Sequence, residues 1–238
     1  MSVLVVTGTG FGVGKTVVAA AVAVLARERG AGVAVVKPAQ TGVAEGEPGD
    51  VDAVIRLAGV TTTFELSRFP QPLSPAAAAR TSGVAPVSLS GAVRTVRELS
   101  ESNRLVIVEG TGGVLVRYDE DGATVADLAR ALGAQVLVVA GTGIDAGNDA
   151  ALTLESLAHR GLEPAGVVIG SWPGEPGVIE RSTVADLEML AARPLAGALP
   201  EGSGGLGAQE FARVARRGLA ATLGGGFDPA RFRLELSL

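Results

Sequence analysis

The chain has 238 residues, a formal charge of −5 and no cysteine; 47% of its residues are apolar but only 3% are aromatic. This balance excludes disulfides, a thiolate metal site and a cysteine nucleophile, and it opposes nucleic-acid binding, which wants a basic face and stacking rings. A core of Val, Leu, Ile and Ala favours buried parallel strands packed by Ala-rich helices.

In chain order, short apolar runs bounded by Gly or Pro occur at 3–7, 33–38, 104–110, 135–141, 165–171 and, more weakly, 194–200. Such runs suit strands covered on both faces. Helical stretches separate them at roughly 14–29, 50–58, 88–102, 124–132, 147–160, 176–191 and 208–223. The alternation predicts βαβ units in a mostly parallel sheet, an α/β fold of three layers in one domain over residues 1–223. Residues 59–87 are Pro-rich and read as an insertion over one edge, with a short helix over 74–81. The segment 224–238 follows a triple glycine and reads as a flexible appendage or an extra edge strand, with nothing in the sequence to choose between them. No charged leader precedes the first strand, and no apolar stretch approaches a membrane span, so a cytoplasmic protein is expected.

The first strand runs into VTGTGFGVGKT (6–16) and then into a helix. The dinucleotide fingerprint G-x-G-x-x-G fails in every register, because Val13 or Lys15 falls where the last glycine belongs. The Gly-Lys-Thr ending suits a triphosphate. Backbone N–H groups turn inward on phosphate, the helix presents its positive end, Lys15 reaches the outer phosphates and Thr16 offers a hydroxyl to Mg²⁺. Five residues, not the usual four, lie between Gly8 and Gly14. The run RLVIVEG then delivers Glu109 to the end of a buried strand, where a nucleotide-bound Mg²⁺ wants a carboxylate, and the glycines that follow allow close backbone approach. Lys37 ends the second strand in VVKPAQTG and reaches the same edge; a lysine so placed more often runs out to water. Asp50 and Asp52 open a helix, and either could be only a cap. His159 reads as a surface residue near a helix end, and Trp172 as core or lid packing.

The combination of TGTGFGVGKT, KPAQTG, the acidic helix start at 50 and VEGTGG resembles the dethiobiotin synthetases, whose loop is also one residue longer than the standard one. The match in order and spacing runs from residue 2 to about 200. The resemblance implies a P-loop NTPase-like fold, a homodimer and closure of the ureido ring of dethiobiotin from 7,8-diaminononanoate, CO₂ (or bicarbonate) and ATP. It implies that Gly12, Val13, Gly14, Lys15, Thr16 and Val17 cradle phosphates, with Gly110, Thr111 and Gly112 nearby. Thr16, Asp50 and Glu109 serve Mg²⁺; Asp50 is preferred to Asp52 for its family spacing to Arg56. Lys15 and Lys37 stabilise the transferring phosphoryl group and a carbamate. Thr41, Gly112 and Gly113 contact the substrate, and Gly147 and Asn148 of a second copy hold its carboxylate tail.

Several residues depart from the family pattern. Asp145 and Asp149 place negative charge near that carboxylate site, and Phe11 is apolar where many relatives have a small polar residue. Many relatives carry Asn-Asp after the fifth main strand, where their side chains read adenine. Gly170 and Ser171 leave backbone groups and the turn Ala198, Leu199, Pro200 to hold the base, so CTP, GTP or UTP is expected to serve beside ATP. Two rivals remain. A ParA- or MinD-like ATPase switch would carry a signature lysine where this chain has Thr9 and Gly10. An amide synthase of the cobyrinate type would use a cysteine-dependent glutaminase domain.

Overall fold

The computed structural model describes residues 2–236. Its strands are β1 (Ser2–Gly8), β2 (Val33–Lys37), β3 (Gln40–Thr41), β4 (Thr62–Glu65), β5 (Arg68–Phe69), β6 (Leu105–Gly113), β7 (Gln135–Ala140), β8 (Pro164–Trp172) and β9 (Gly197–Pro200). The α-helices are α1 (Lys15–Glu28), α2 (Asp50–Ala58), α3 (Pro75–Ser82), α4 (Leu89–Ser102), α5 (Val125–Leu132), α6 (Ala146–Ala158), α7 (Val178–Ala191), α8 (Ala208–Gly218) and α9 (Pro229–Leu236). Seven strands form one sheet in the order β4-β2-β6-β1-β7-β8-β9, with every neighbouring pair parallel.

Strand period explains why both faces are apolar. In β1, Leu4 and Val6 point into one core and Val5 into the other. The same alternation runs through β6, with Val106 and Val108 opposite Ile107, and through β7, with Val136 and Val138 opposite Leu137 and Val139. A strand buried on both sides must therefore be apolar throughout, and only helices can cover it. On one face α1 is buried from Val18 to Leu25, its alanines allowing close approach, with α2 and α8 beside it. On the other face the core draws on α3 to α7. Three layers result, as expected.

The main departure is at one edge. Residues 59–87 are more than an insertion: β4 lies inside them, and Ala34 to Lys37 of β2 pair with Thr62 to Glu65. This strand is short and half-exposed, with a polar TTFE sequence. A protected edge needs no apolar run, which is why pattern alone passes over it. A second small sheet joins β3 to β5, pairing Gln40 with Arg68. At the other edge α8 stops at Gly218, five residues before the expected end, and Leu219 turns extended; Gly218 passes against Ala198 and Leu199 too closely for a side chain. A 3₁₀ turn over Ala221–Leu223 follows.

Neither reading of the C-terminal segment matches the described part of it. Residues 229–236 form α9, opened by Pro229 and by the Asp228 carboxylate, which accepts from the amides of Ala230 and Arg231. Phe232 meets Trp172 edge-on with centroids 5.1 Å apart, and Arg233 pairs with Glu188. The last two residues of the segment lie outside the described residues.

Tyr118 is fully buried, and its hydroxyl lies beside the Thr111 backbone without a well-aligned hydrogen bond. Burial pushes this phenol from 10 up to about 12. The folded state then holds a proton that the unfolded state releases, so the contribution is intact below pH 10 and is lost as pH rises to about 12. Because Tyr118 is the one tyrosine in the sequence, its ultraviolet phenolate band reads the effect directly. The band is expected near pH 12 or only on unfolding; a phenolate at pH 10 in folded protein would contradict the burial argument. Tyr118→Phe should stay within about 1 kcal/mol of the parent at neutral pH. In alkaline denaturation it should escape roughly 3 kcal/mol of loss, two pKa units' worth.

Candidate active site

The site lies at the carboxyl ends of β1, β2 and β6, where an open parallel sheet accepts ligands. β1 ends at Gly8, and the chain turns through Gly12 (φ 70°) and Gly14 (φ 95°) before α1 begins. Gly14 is the N-cap of α1; no side chain caps it, and no acidic residue sits in the first turn. The first turn of the helix thus lines the cavity with no side chain capping its amides, the arrangement that binds phosphate.

The loop also presses on β8. A Cβ on Gly170 would sit 2.0 Å from the Val13 carbonyl oxygen, and one on Gly14 would sit 2.6 Å from the Gly170 oxygen. The missing side chain at 170 thus has a steric cause: the loop lies directly on that strand.

Lys15 folds back over its own loop and donates to the Gly10 carbonyl at 2.7 Å, with the Phe11 ring centroid 5.9 Å from its Nζ. Burial, and next the Lys37 charge, pull its ammonium down to about 8, against Glu109 and Asp50. Thr16 donates its hydroxyl to Glu109 Oε1 at 2.7 Å.

Lys37 does not run out to water. Its side chain is 3% exposed, and Nζ meets Asp50 Oδ2 at 2.5 Å, Glu109 Oε1 at 2.8 Å and the Gly110 carbonyl at 3.3 Å. Three acceptors answer the three N–H groups of an ammonium. Burial alone would lower its pKa, but the two carboxylates outweigh burial and hold it above the ordinary lysine range. Burial pushes the Glu109 carboxyl up, and the Lys37 ammonium opposes that push.

Asp50 and Asp52 have separated tasks. Asp50 turns to Lys37, whereas Asp52 turns back to accept from the Gly49 amide at 2.7 Å. Gln40, which sequence reading passed over, accepts from the Asp50 amide at 2.9 Å. No motif marks it beyond its place between Lys37 and Thr41. Thr111 donates to the Ala39 carbonyl at 2.6 Å and pins the turn after β2 to the end of β6.

A cavity of about 340 Å³ gathers Gly12, Gly14, Lys15, Thr16, Val17, Lys37, Thr41, Asp50, Glu109, Thr111 and Gly112, with Phe11 and Gln40. Gly113 instead lines a neighbouring groove with Thr9, Asp149 and Leu152. Gly147 and Asn148, in the first turn of α6, and Gly170, Ser171, Ala198, Leu199 and Pro200, at the ends of β8 and β9, stand outside the cavity walls. A larger hollow of about 650 Å³ opens at the opposite, amino-terminal end of the sheet, away from these groups.

Among the described residues no cluster of three His, Cys, Asp or Glu side chains could hold a metal alone. One hydroxyl and two carboxylates beside a phosphate loop fit Mg²⁺ of the kind that keeps waters and shares phosphate oxygens. Among the same residues no helix is long and apolar enough to cross a membrane.

A protein family described as an AAA domain matches residues 2–204. The chain is 59% identical to the ATP-dependent dethiobiotin synthetase BioD of Frankia casuarinae, over 98% of each chain. It is 50% identical to the synthetase of the same name from Streptomyces avermitilis, again over 98% of each. Among solved structures it resembles a ParA family ATPase from Chlorobium tepidum (TM-score 0.59, 13% identity, 93% of this chain and 95% of that one). It also resembles the cell division ATPase MinD of Pyrococcus furiosus (TM-score 0.57, 16% identity, 94% and 97%). At such identities the likeness is one of fold: a P-loop NTPase architecture.

Gly170→Ala tests the loop-on-strand contact. Its methyl must displace Val13 and Gly14, an overpacking of about 1–3 kcal/mol. Calorimetry with ADP should show at least about tenfold weaker binding in a variant that still melts cooperatively. Unchanged affinity would mean that the loop is free to lift from β8.

Proposed function

The chain belongs to the dethiobiotin synthetase family, and from that premise we propose how its site closes the ureido ring. The enzyme is an ATP-dependent ligase of biotin biosynthesis. One amine of 7,8-diaminononanoate adds to the carbon of CO₂, losing a proton and forming a carbamate. A carbamate oxygen attacks the γ-phosphorus of the nucleotide, and the nucleoside diphosphate leaves. The second amine then attacks the activated carbonyl carbon and loses a proton, the C–O bond breaks, and phosphate departs with the former carbamate oxygen. No protein nucleophile is needed.

The observation that carries this reading is the buried Lys37 ammonium, held charged between Asp50 and Glu109 at the mouth of the phosphate loop. An ammonium fixed there stabilises negative charge as it develops on the carbamate and the transferring phosphoryl group. The loop from Gly12 to Val17 and Lys15 hold the phosphates. Thr16, Asp50 and Glu109 would hold the nucleotide's Mg²⁺, which when bound would neutralise charge on the phosphate oxygens. Thr41 and Gly112 line the substrate's reacting end, with Gly113 in the adjoining groove. We further propose a homodimer in the cytoplasm, in which Gly147 and Asn148 of the second copy receive the substrate carboxylate despite Asp145 and Asp149. The start of α6 with its free amides supports that assignment.

Base choice is proposed to be relaxed. Close contact between β8 and the loop supports this, since position 170 has no room for a base-reading side chain. Backbone groups of Gly170 and Ser171 and of the Ala198–Pro200 turn hold the base. The neighbours of ParA and MinD type share only the fold, and the cysteine-dependent amide synthase has no counterpart in a chain without cysteine.

Incubation with 7,8-diaminononanoate, bicarbonate, Mg²⁺ and each nucleoside triphosphate in turn should yield dethiobiotin with every base. A preference for ATP above about 2 kcal/mol, the discrimination of a good hydrogen-bonded pair, would end the relaxed-base reading. Lys37→Ala should cut kcat by on the order of 10²–10³ while nucleotide affinity changes by less than about tenfold. Equal turnover in that variant would remove Lys37 from the chemistry.

A further inference from the structure

We propose that Gln40 is a positioning residue that sets the Asp50 carboxylate against Lys37, and through it tunes metal–nucleotide binding. The proposal rests on the reading of Asp50 as a magnesium-supporting carboxylate. α2 starts at Asp50, and its N-cap is Gly49, which has no side chain to offer the first amides. Asp52 answers only the Gly49 amide. The Asp50 amide is answered from outside the helix by Gln40 Oε1 at 2.9 Å. Gln40 acts as a cap borrowed from another element, answering an amide that the helix itself leaves unmet.

The lender is rigid. Gln40 lies three residues beyond Lys37, is 5% exposed, and belongs to β3, which pairs with β5 at Arg68. The Arg68 guanidinium takes both oxygens of Glu65, at 2.5 and 2.9 Å. It also donates to the carbonyls of Ala44 and Glu47, drawing in the loop that leads to α2. The surroundings of position 49 are close: a Cβ there would lie 2.9 Å from Arg68 Nη2 and 3.0 Å from Gln40 Oε1, so those side-chain ends would have to shift. Within a carboxamide only the oxygen accepts, so this bond also fixes the orientation of the Gln40 side chain. Its Nε2 is left with a long 3.4 Å contact to the Thr41 carbonyl. The end of β2 therefore delivers the ammonium directly, and β3, three residues later, fixes the helix that carries its partner carboxylate.

Calorimetric binding of ADP with Mg²⁺, and of ADP in EDTA, reads the effect without turnover. Gln40→Met keeps the length of the side chain and removes the acceptor. It should weaken Mg²⁺–ADP binding by about tenfold, the usual cost of losing a partner that orients a metal-supporting group. ADP in EDTA should change by less than about twofold, and in an Asp50→Asn background Gln40→Met should add nothing, because both then act through one group. Equal weakening with and without metal, or a Gln40→Met effect that survives in Asp50→Asn, would overturn the proposal. A normal Asp50→Asn effect beside a silent Gln40→Met would overturn the Gln40 role alone. Asp50→Asn with an unchanged metal dependence would overturn the reading of Asp50 and the route through it.

Discussion

The site is organised around one buried charge, the Lys37 ammonium. Taking an ammonium out of water costs several kcal/mol unless its donors are met and its charge is balanced. Lys37 solves this with Asp50 from the start of α2 and with Glu109 and the Gly110 carbonyl from the end of β6. Neither carboxylate is near it in sequence; sheet order and register bring them together. β2 and β6 are adjacent, with Val36 level with Val108, so the next residue of each strand, Lys37 and Glu109, emerges at one edge. The apolar alternation that fills the two cores is thus also what aims the charged ends.

Glycine sets the second constraint. Phosphate must meet backbone amides, so the loop between β1 and α1 has to lie low over the sheet. Positive φ at Gly12 and Gly14 lets the loop turn, and Gly170 lets it rest on β8. Thr16, at the second position of α1, can then bond Glu109 on the neighbouring strand. Phosphate loop, carboxylates and ammonium form one connected network. Such preorganisation is the main resource for phosphoryl transfer, where the protein positions and neutralises and does little covalent chemistry.

The parts of this that were legible in sequence are those with one strong local cause. Buried strands announce themselves as apolar runs, and VGKT between a strand and a helix carries its own mechanism. Lys37 and Glu109 stood out as charges ending such runs. Asp50 against Asp52 needed the fold, since helix capping and ion pairing call for the same residue type two positions apart. β4 has no apolar signature because it is a half-exposed edge strand, and α9 is hard to read because the helix is held by a cap, the contacts of Phe232 and an ion pair instead of a long amphipathic face. Gln40 was invisible for a different reason. Its partner is a backbone amide, and a backbone amide leaves no mark in sequence.

The mixed anhydride can be tested by following oxygen. Dethiobiotin synthesis started from oxygen-18 bicarbonate, sampled before the label washes into water, places label in the carbamate. If a carbamate oxygen attacks the γ-phosphorus and leaves on ring closure, each inorganic phosphate released carries one labelled oxygen. Dethiobiotin formed with unlabelled phosphate would mean that ATP is hydrolysed by water and drives ring closure by another route. The chemistry assigned to Lys37 and the phosphate loop would then be wrong.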